Sequence, residues 1–247
     1  LGSGAVDAEE LWAALTSRPL PWPAWRRLAL ADAYAEQPAG VPGERESDVP
    51  FVRAHLLVEL KQLEAAREEI TRSWELRKER NGEESAEATG ARSLLGVILR
   101  EMNELDEAKA HLEGVLAAAE TVYGAEDPQM AAAHHNLGSV LRLQNQLPEA
   151  KEHFERATAI DATNDGAPTA RTAASLHDLG LIESQLGENE ASKDHLEQSL
   201  AFMQQLYGAR HQRTGTVHAT LSRVLNVLGD KEGAKGHVQA ALVIQEG

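Results

Sequence analysis

One pattern returns along this chain every 42 residues, and that leaves few folds open. In its clearest copy it reads Leu95-Gly96-x-x-Leu99, then Leu105, Ala108-x-x-x-Leu112 and Tyr123-Gly124. It recurs as Leu137-Gly138-x-x-Leu141, Leu147, Ala150-x-x-x-Phe154 and Gly166. Later copies are Leu179-Gly180, Ser192-x-x-x-Leu196 and Tyr207-Gly208, then Leu221-Ser222-x-x-Leu225 and Ala234-x-x-x-Val238. Upstream, Ala54-x-x-Leu57, Ala66-x-x-x-Ile70 and Gly82 form a further copy. A fixed period without insertions marks a solenoid, in which each unit buries its apolar face against its neighbours.

Each copy reads as two helices. The apolar residues fall at helical spacing. A small residue on the first helix (Ala54, Gly96, Gly138, Gly180, Ser222) and another on the second (Ala66, Ala108, Ala150, Ser192, Ala234) allow close approach. Between them stands a turn residue, Lys61, Asn103, Asn145, Gly187 or Gly229. Asn and Gly tolerate the left-handed conformation that stops a helix. Asp127-Pro128 reads as an N-cap followed by proline in the first turn. The expected fold is all-α, a right-handed α-solenoid of antiparallel hairpins, with five full units at 45–84, 85–126, 127–168, 169–210 and 211–247. Residues 1–44 hold a worn copy, Leu11-Trp12-x-x-Leu15, Ala24-x-x-x-Leu28 and Gly40, with helices expected at 7–17 and 23–36. Terminal repeats are often atypical caps, and Trp12, Trp22 and Trp25 would cover the open end; an unrelated N-terminal hairpin is the alternative. Six units of two helices give about twelve helices and no strand.

The order Leu-Gly-x-x-[large apolar], with Ala twelve residues after the Gly and an apolar residue four later, resembles the tetratricopeptide repeat. The long period and the linker Gly124-Ala-Glu-Asp127-Pro128 resemble the kinesin light chain type. Gly208-Ala-Arg-His211-Gln212 keeps that linker without the proline, and Gly82 keeps only the glycine. The family's tryptophan slot, three before the Leu, holds Arg92, His134, Leu176 and His218. Glu183 stands where other copies carry Leu57, Leu99, Leu141 and Leu225. A carboxylate there must reach water or meet a hydrogen-bonding partner.

Composition narrows the chemistry. With 24 basic and 39 acidic residues the net charge is −15, unsuited to nucleic acid, whose phosphates are bound by Lys and Arg. Most of that acid reads as solvated helix exterior. There is no cysteine, as expected of a cytoplasmic chain, and hence no disulfide or thiolate chemistry. No apolar run approaches the ~18 residues of a membrane span, and no signal peptide stands out. No phosphate-binding glycine loop, zinc-protease helix or serine elbow occurs, so neither catalysis nor a cofactor is expected. His111, His153, His195 and His237 recur once per unit, each two residues after a lysine. Equivalent residues in adjacent units lie roughly 8–10 Å apart, whereas zinc needs each imidazole nitrogen within about 2.1 Å. A metal site is therefore not expected, and the row reads as copied repeat sequence.

The resemblance implies a protein-interaction scaffold with a partner or peptide in its inner groove. The family's inner positions fall here on Arg100, His135, Asn136, Ser139, Arg142, His177, Asp178, Gln185, Arg223 and Asn226. The Lys/Asn carboxylate clamp of some family members is absent, since its slots hold Ser93 and Val97, His135 and Ser139, His177 and Leu181. What remains is a polar strip with Arg100 and Arg142 expected one unit apart, suited to an acidic or polar peptide. The apolar run Ala240-Ala241-Leu242-Val243-Ile244 has no polar cap after it and offers a surface for self-association. The chain opens at Leu1 without methionine and is expected to be an excerpt of a longer protein. The alternative function is then a regulatory or sensor module of a signalling enzyme: a nucleotide-driven (STAND-type) NTPase, a kinase or a protease. The register itself is testable: Leu137→Ala should lower unfolding free energy by about 2–5 kcal/mol in denaturant titration, and a change near zero would refute it.

Overall fold

The computed structural model describes residues 12, 23–35, 46–163 and 168–246. Among these there are eleven α-helices and no strand. They are α1 (Ala24–Ala35), α2 (Asp48–Glu59), α3 (Leu63–Asn81), α4 (Ala86–Glu101), α5 (Leu105–Tyr123) and α6 (Pro128–Leu143). There follow α7 (Leu147–Thr163), α8 (Ala170–Leu186), α9 (Asn189–Tyr207), α10 (Gln212–Leu228) and α11 (Lys231–Glu246). The chain forms two compact units, divided between Val122 and Tyr123, with α1 to α5 in the first and α6 to α11 in the second. No helix among the described residues is long and apolar enough to cross a membrane.

Five hairpins follow from one local motif. Lys61, Asn103, Asn145, Gly187 and Gly229 all have positive φ, from +59° to +88°. In each, the amide one residue later donates back to the helix: Gln62 to Leu57, Glu104 to Leu99, Gln146 to Leu141, Glu188 to Glu183 and Asp230 to Leu225, at 2.8–2.9 Å. This bond satisfies carbonyls that a helix end would otherwise leave open. The starts of the first helices repeat as well. Ser85, Asp127, Thr169 and His211, spaced by 42, each accept a backbone N–H of the first turn, from Ala88, Gln129, Thr172 and Arg213 respectively. The expected Asp127 cap is thus one member of a periodic set.

Packing within two hairpins, α4–α5 and α8–α9, depends on missing side-chain atoms. A Cβ on Gly96 would come 2.6 Å from Leu112 Cγ, and one on Gly180 would come 2.6 Å from Leu196 Cγ. The expected landmarks Leu95, Leu99, Leu112, Leu137, Leu141, Phe154, Leu179, Leu196, Leu221 and Leu225 are all buried. In the first unit Arg77 of α3 ties three elements together. It meets Asp48 of α2 at 2.7 Å, donates to the Glu87 carbonyl of α4 at 3.1 Å, and stacks over Phe51.

At the N-terminus the second expected helix is α1, but Trp25 is 63% exposed and does not cover a core. Trp12 packs against Tyr34. The expected helix at 7–17 apart from Trp12, together with Trp22, Gly40 and Gly166, lies outside the described residues.

The histidine row has a structural use that its period alone did not reveal. Each row residue stands opposite the slot residue 19 positions earlier. In α6–α7, His134 Nδ1 lies 2.9 Å from His153 Nδ1; in α10–α11, His218 Nδ1 lies 2.7 Å from His237 Nδ1. In the first unit Arg92 and His111 both approach Trp74, the histidine edge-on. In α8–α9 the slot residue is Leu176, and His195 instead meets Glu183, with Nδ1 2.7 Å from Oε2. Glu183 is 1% exposed and also has Lys151 Nζ at 3.7 Å. Of the two outcomes open to this carboxylate, the structure shows the partnered one.

Two measurements follow. Lys61 is the one lysine among the turn residues, at φ +59° and exposed, where a β-carbon is strained. Lys61→Gly, which removes that β-carbon, should therefore raise unfolding free energy by about 0.5–1 kcal/mol; no gain would contradict the strain. The second concerns acid. Burial, then His153 and Arg156, push the His134 imidazole down from 6.5 to about 4. The unfolded chain takes up this proton near pH 6.5 while the folded chain resists it until about 4, so stability is fully present above 6.5 and lost as pH falls through that window. The melting temperature should drop across it, and a His134→Leu/His153→Leu variant should show a shallower drop by circular dichroism. An unchanged slope would show that the pair does not couple protonation to folding.

Candidate functional site

The first helices of the second unit, α6, α8 and α10, are stitched edge to edge by histidines. His135 Nδ1 on α6 lies 2.8 Å from Ser175 Oγ on α8. His177 Nε2 on α8 lies 3.1 Å from Thr220 Oγ1 on α10, which also accepts from Arg223 at 3.4 Å. His135 and His177 occupy the same repeat position, so a single sequence feature yields both links. Asp178 on α8 is held between Arg142 of α6, at 3.6 Å, and its neighbour His177, at 3.8 Å. Burial raises the Asp178 carboxyl, but His177, Arg142 and His135 outweigh it and hold it below the usual value.

Over these links lies an open pocket of about 480 Å³. Its polar lining is His135, Arg171, His177, Asp178 and Arg213, with Met203 and Val217 supplying apolar contact. Arg171 is oriented by Asp161, which accepts from Nε at 3.3 Å and from Nη2 as well. Arg213 donates to Tyr207 Oη at 2.9 Å and lies over the same ring. The pocket can therefore present guanidinium donors to an anionic or polar group beside an apolar floor.

The structure brings some of the sequence-selected residues together and separates others. His135, His177 and Asp178 line the pocket, and Arg142 is tied to it through Asp178. Ser139 is 5% exposed and donates to the His135 carbonyl, so it is spent within α6. Gln185, Arg223 and Asn226 are exposed, and Asn136 is half-buried. Arg100 belongs to the first unit, where it pairs with Glu101 at 3.0 Å. Arg171 and Arg213 were missed, although the period held the signal: they are 42 apart, each two residues after the N-cap of its helix. The α11 face is open too: Val238, Leu242 and Val243 are 45%, 48% and 59% exposed, whereas Leu112, Phe154 and Leu196, equivalent to Val238, are fully buried.

Comparison with known proteins agrees with this architecture. A search of curated proteins gives no match. Among solved structures, BtubC (BKLC) from P. vanneervenii is 20% identical, over 96% of this chain and 91% of that one, with a TM-score of 0.73. A Podosopora anserina protein with nearly identical kinesin light chain TPR-like repeats is 21% identical, over 83% and 96%, at 0.67. A Rap protein complexed with competence and sporulation factor is 14% identical, over 89% and 69%, at 0.63. The sequence profile of the tetratricopeptide repeat matches residues 87–163 and 171–246. Those two segments make up more than half of the chain, which is therefore a member of the tetratricopeptide repeat family, its helix hairpins sharing the fold of the kinesin light chain repeats.

Proposed function

We propose that the chain is a non-catalytic interaction scaffold and that the first-helix face of its second unit binds an acidic or polar peptide segment of a partner protein. The observation that supports this most is the pocket over α8, where Arg171 and Arg213 stand with His135 and His177 beside Met203 and Val217. Guanidinium groups recognise carboxylates through paired, charge-assisted hydrogen bonds. Arg213 and Arg223 have no carboxylate partner in any ion pair among the described residues, so they can accept one from outside without breaking an internal pair. Arg142 and Arg171 are already engaged with Asp178 and Asp161 and serve to shape the site.

The test is a peptide array and titration with the wild type and an Arg213→Ala/Arg223→Ala variant. Both side chains are exposed and make only local contacts, with Tyr207 and Thr220, so the variant should remain folded by circular dichroism. Charged hydrogen bonds contribute about 1.5–3 kcal/mol each, so affinity for acidic peptides should fall tenfold or more, about 1.4 kcal/mol per tenfold. Raising the salt concentration should weaken wild-type binding in the same direction. If the variant folds and keeps every partner at unchanged affinity, the face is wrongly assigned. The exposed apolar face of α11, acting in self-association or in holding a partner, would then be the surface to pursue.

A further inference from the structure

A second cleft in the second unit, of about 450 Å³, lies on the other side of the hairpins, with α8 as floor and α7 and α9 contributing walls. Leu176 and Leu179 of α8 and Phe202 of α9 form its apolar part, and Glu155, Thr158, Asp161, Thr172, His195 and Gln198 its polar edge. It shares only Asp161 with the first-helix face, where that carboxylate orients Arg171, and its other lining residues are its own.

Its origin lies in the repeat frame. In α6–α7 and α10–α11 the slot residue and the row residue are both imidazoles, with ring centroids 5.1 Å and 5.0 Å apart. In α8–α9 one ring is replaced by Leu176, and the other, His195, is drawn to Glu183. Two departures from the repeat therefore act together: one ring is missing and its partner is held elsewhere. A carboxylate only accepts, so the imidazole donates to Glu183 through Nδ1–H. In the neutral ring this leaves Nε2 as an acceptor, with no partner among the described residues. The carboxylate is 1% exposed and backed by Lys151, which holds the ring in place.

We propose that this cleft binds a small planar heteroaromatic ring bearing an N–H, which gives His195 the second ring that it lacks beside Leu176. The ring would lie against Leu176, Leu179 and Phe202 and donate its N–H to His195 Nε2. The volume falls within the range of about 300–1,000 Å³ typical of small-molecule sites.

Imidazole and indole serve as probes, each titrated into the isotope-labelled full chain and followed by amide and methyl NMR. Saturable shifts confined to Leu176, Leu179, His195 and Phe202, at millimolar probe, are expected. A Leu176→His/Glu183→Leu variant restores the residues that the other two hairpins carry and should abolish those shifts. Gln198→Trp, at an exposed position on the cleft edge, fills the cleft without touching the core and should abolish them as well. Arg213→Ala/Arg223→Ala should leave them unchanged, which separates this site from the peptide face. Shifts that fail to saturate, that spread over the chain, or that persist at full size in Gln198→Trp would overturn the proposal.

Discussion

Close approach of two helices within a hairpin is the constraint on which the rest depends. Gly96 and Gly180 meet Leu112 and Leu196 where no Cβ fits, and Ser192 donates to the Gly180 carbonyl at 2.6 Å. The histidine pairs stand in the two flanking hairpins, α6–α7 and α10–α11, whose small residues are Gly138 and Ser222, and there the row ring of the second helix meets the slot ring of the first. Two imidazoles satisfy one another by sharing a hydrogen bond, one donating and one accepting. A buried ring nitrogen without such a partner would carry the cost of an unmet polar group.

The α8–α9 hairpin shows how that requirement propagates. Leu176 gives His195 nothing to bond, and Glu183, two turns further along the same helix face, supplies the missing acceptor. Taken singly each substitution is unfavourable: a leucine opposite an imidazole, and a carboxylate in a leucine's place. Together they satisfy both, and Lys151 places a cation beside the carboxylate. A buried charge survives when it is paired and hydrogen-bonded. Replacing Glu183 alone would strand His195, whereas replacing it with the slot histidine restored returns the pattern of the flanking hairpins.

What the sequence made legible follows from what repeats. Helix pairs, turn residues, the Asp127 cap and the buried leucines recur at 42 residues because each is fixed by local backbone geometry or by an intra-hairpin contact. The histidine pairs were hidden for a different reason. Their members are 19 residues apart on different helices, so neither helical nor repeat periodicity joins them, and only the hairpin geometry does. Ser139 was selected as an open groove position, yet a serine can bond the carbonyl four residues back in its own helix, and this one does. Trp25 was expected to cover a core because it is large and apolar, but an isolated aromatic residue carries no register, and its exposure reflects that.

Net charge and local charge point in opposite directions, and range decides between them. The chain carries −15 overall. Fields of exposed charges fade over about 8 Å at physiological ionic strength. A group entering the pocket over α8 therefore meets the Arg213 guanidinium, which has no carboxylate partner, before the acidic side chains that dominate the sum. The one carboxylate lining that pocket, Asp178, is already paired with Arg142. Distant acid would slow the approach of an acidic partner, most of all at low salt, but contributes little to its binding once in place. On the proposed function, an acidic partner would thus combine slow encounter with selective retention, because elsewhere on the surface the prevailing charge opposes its carboxylate.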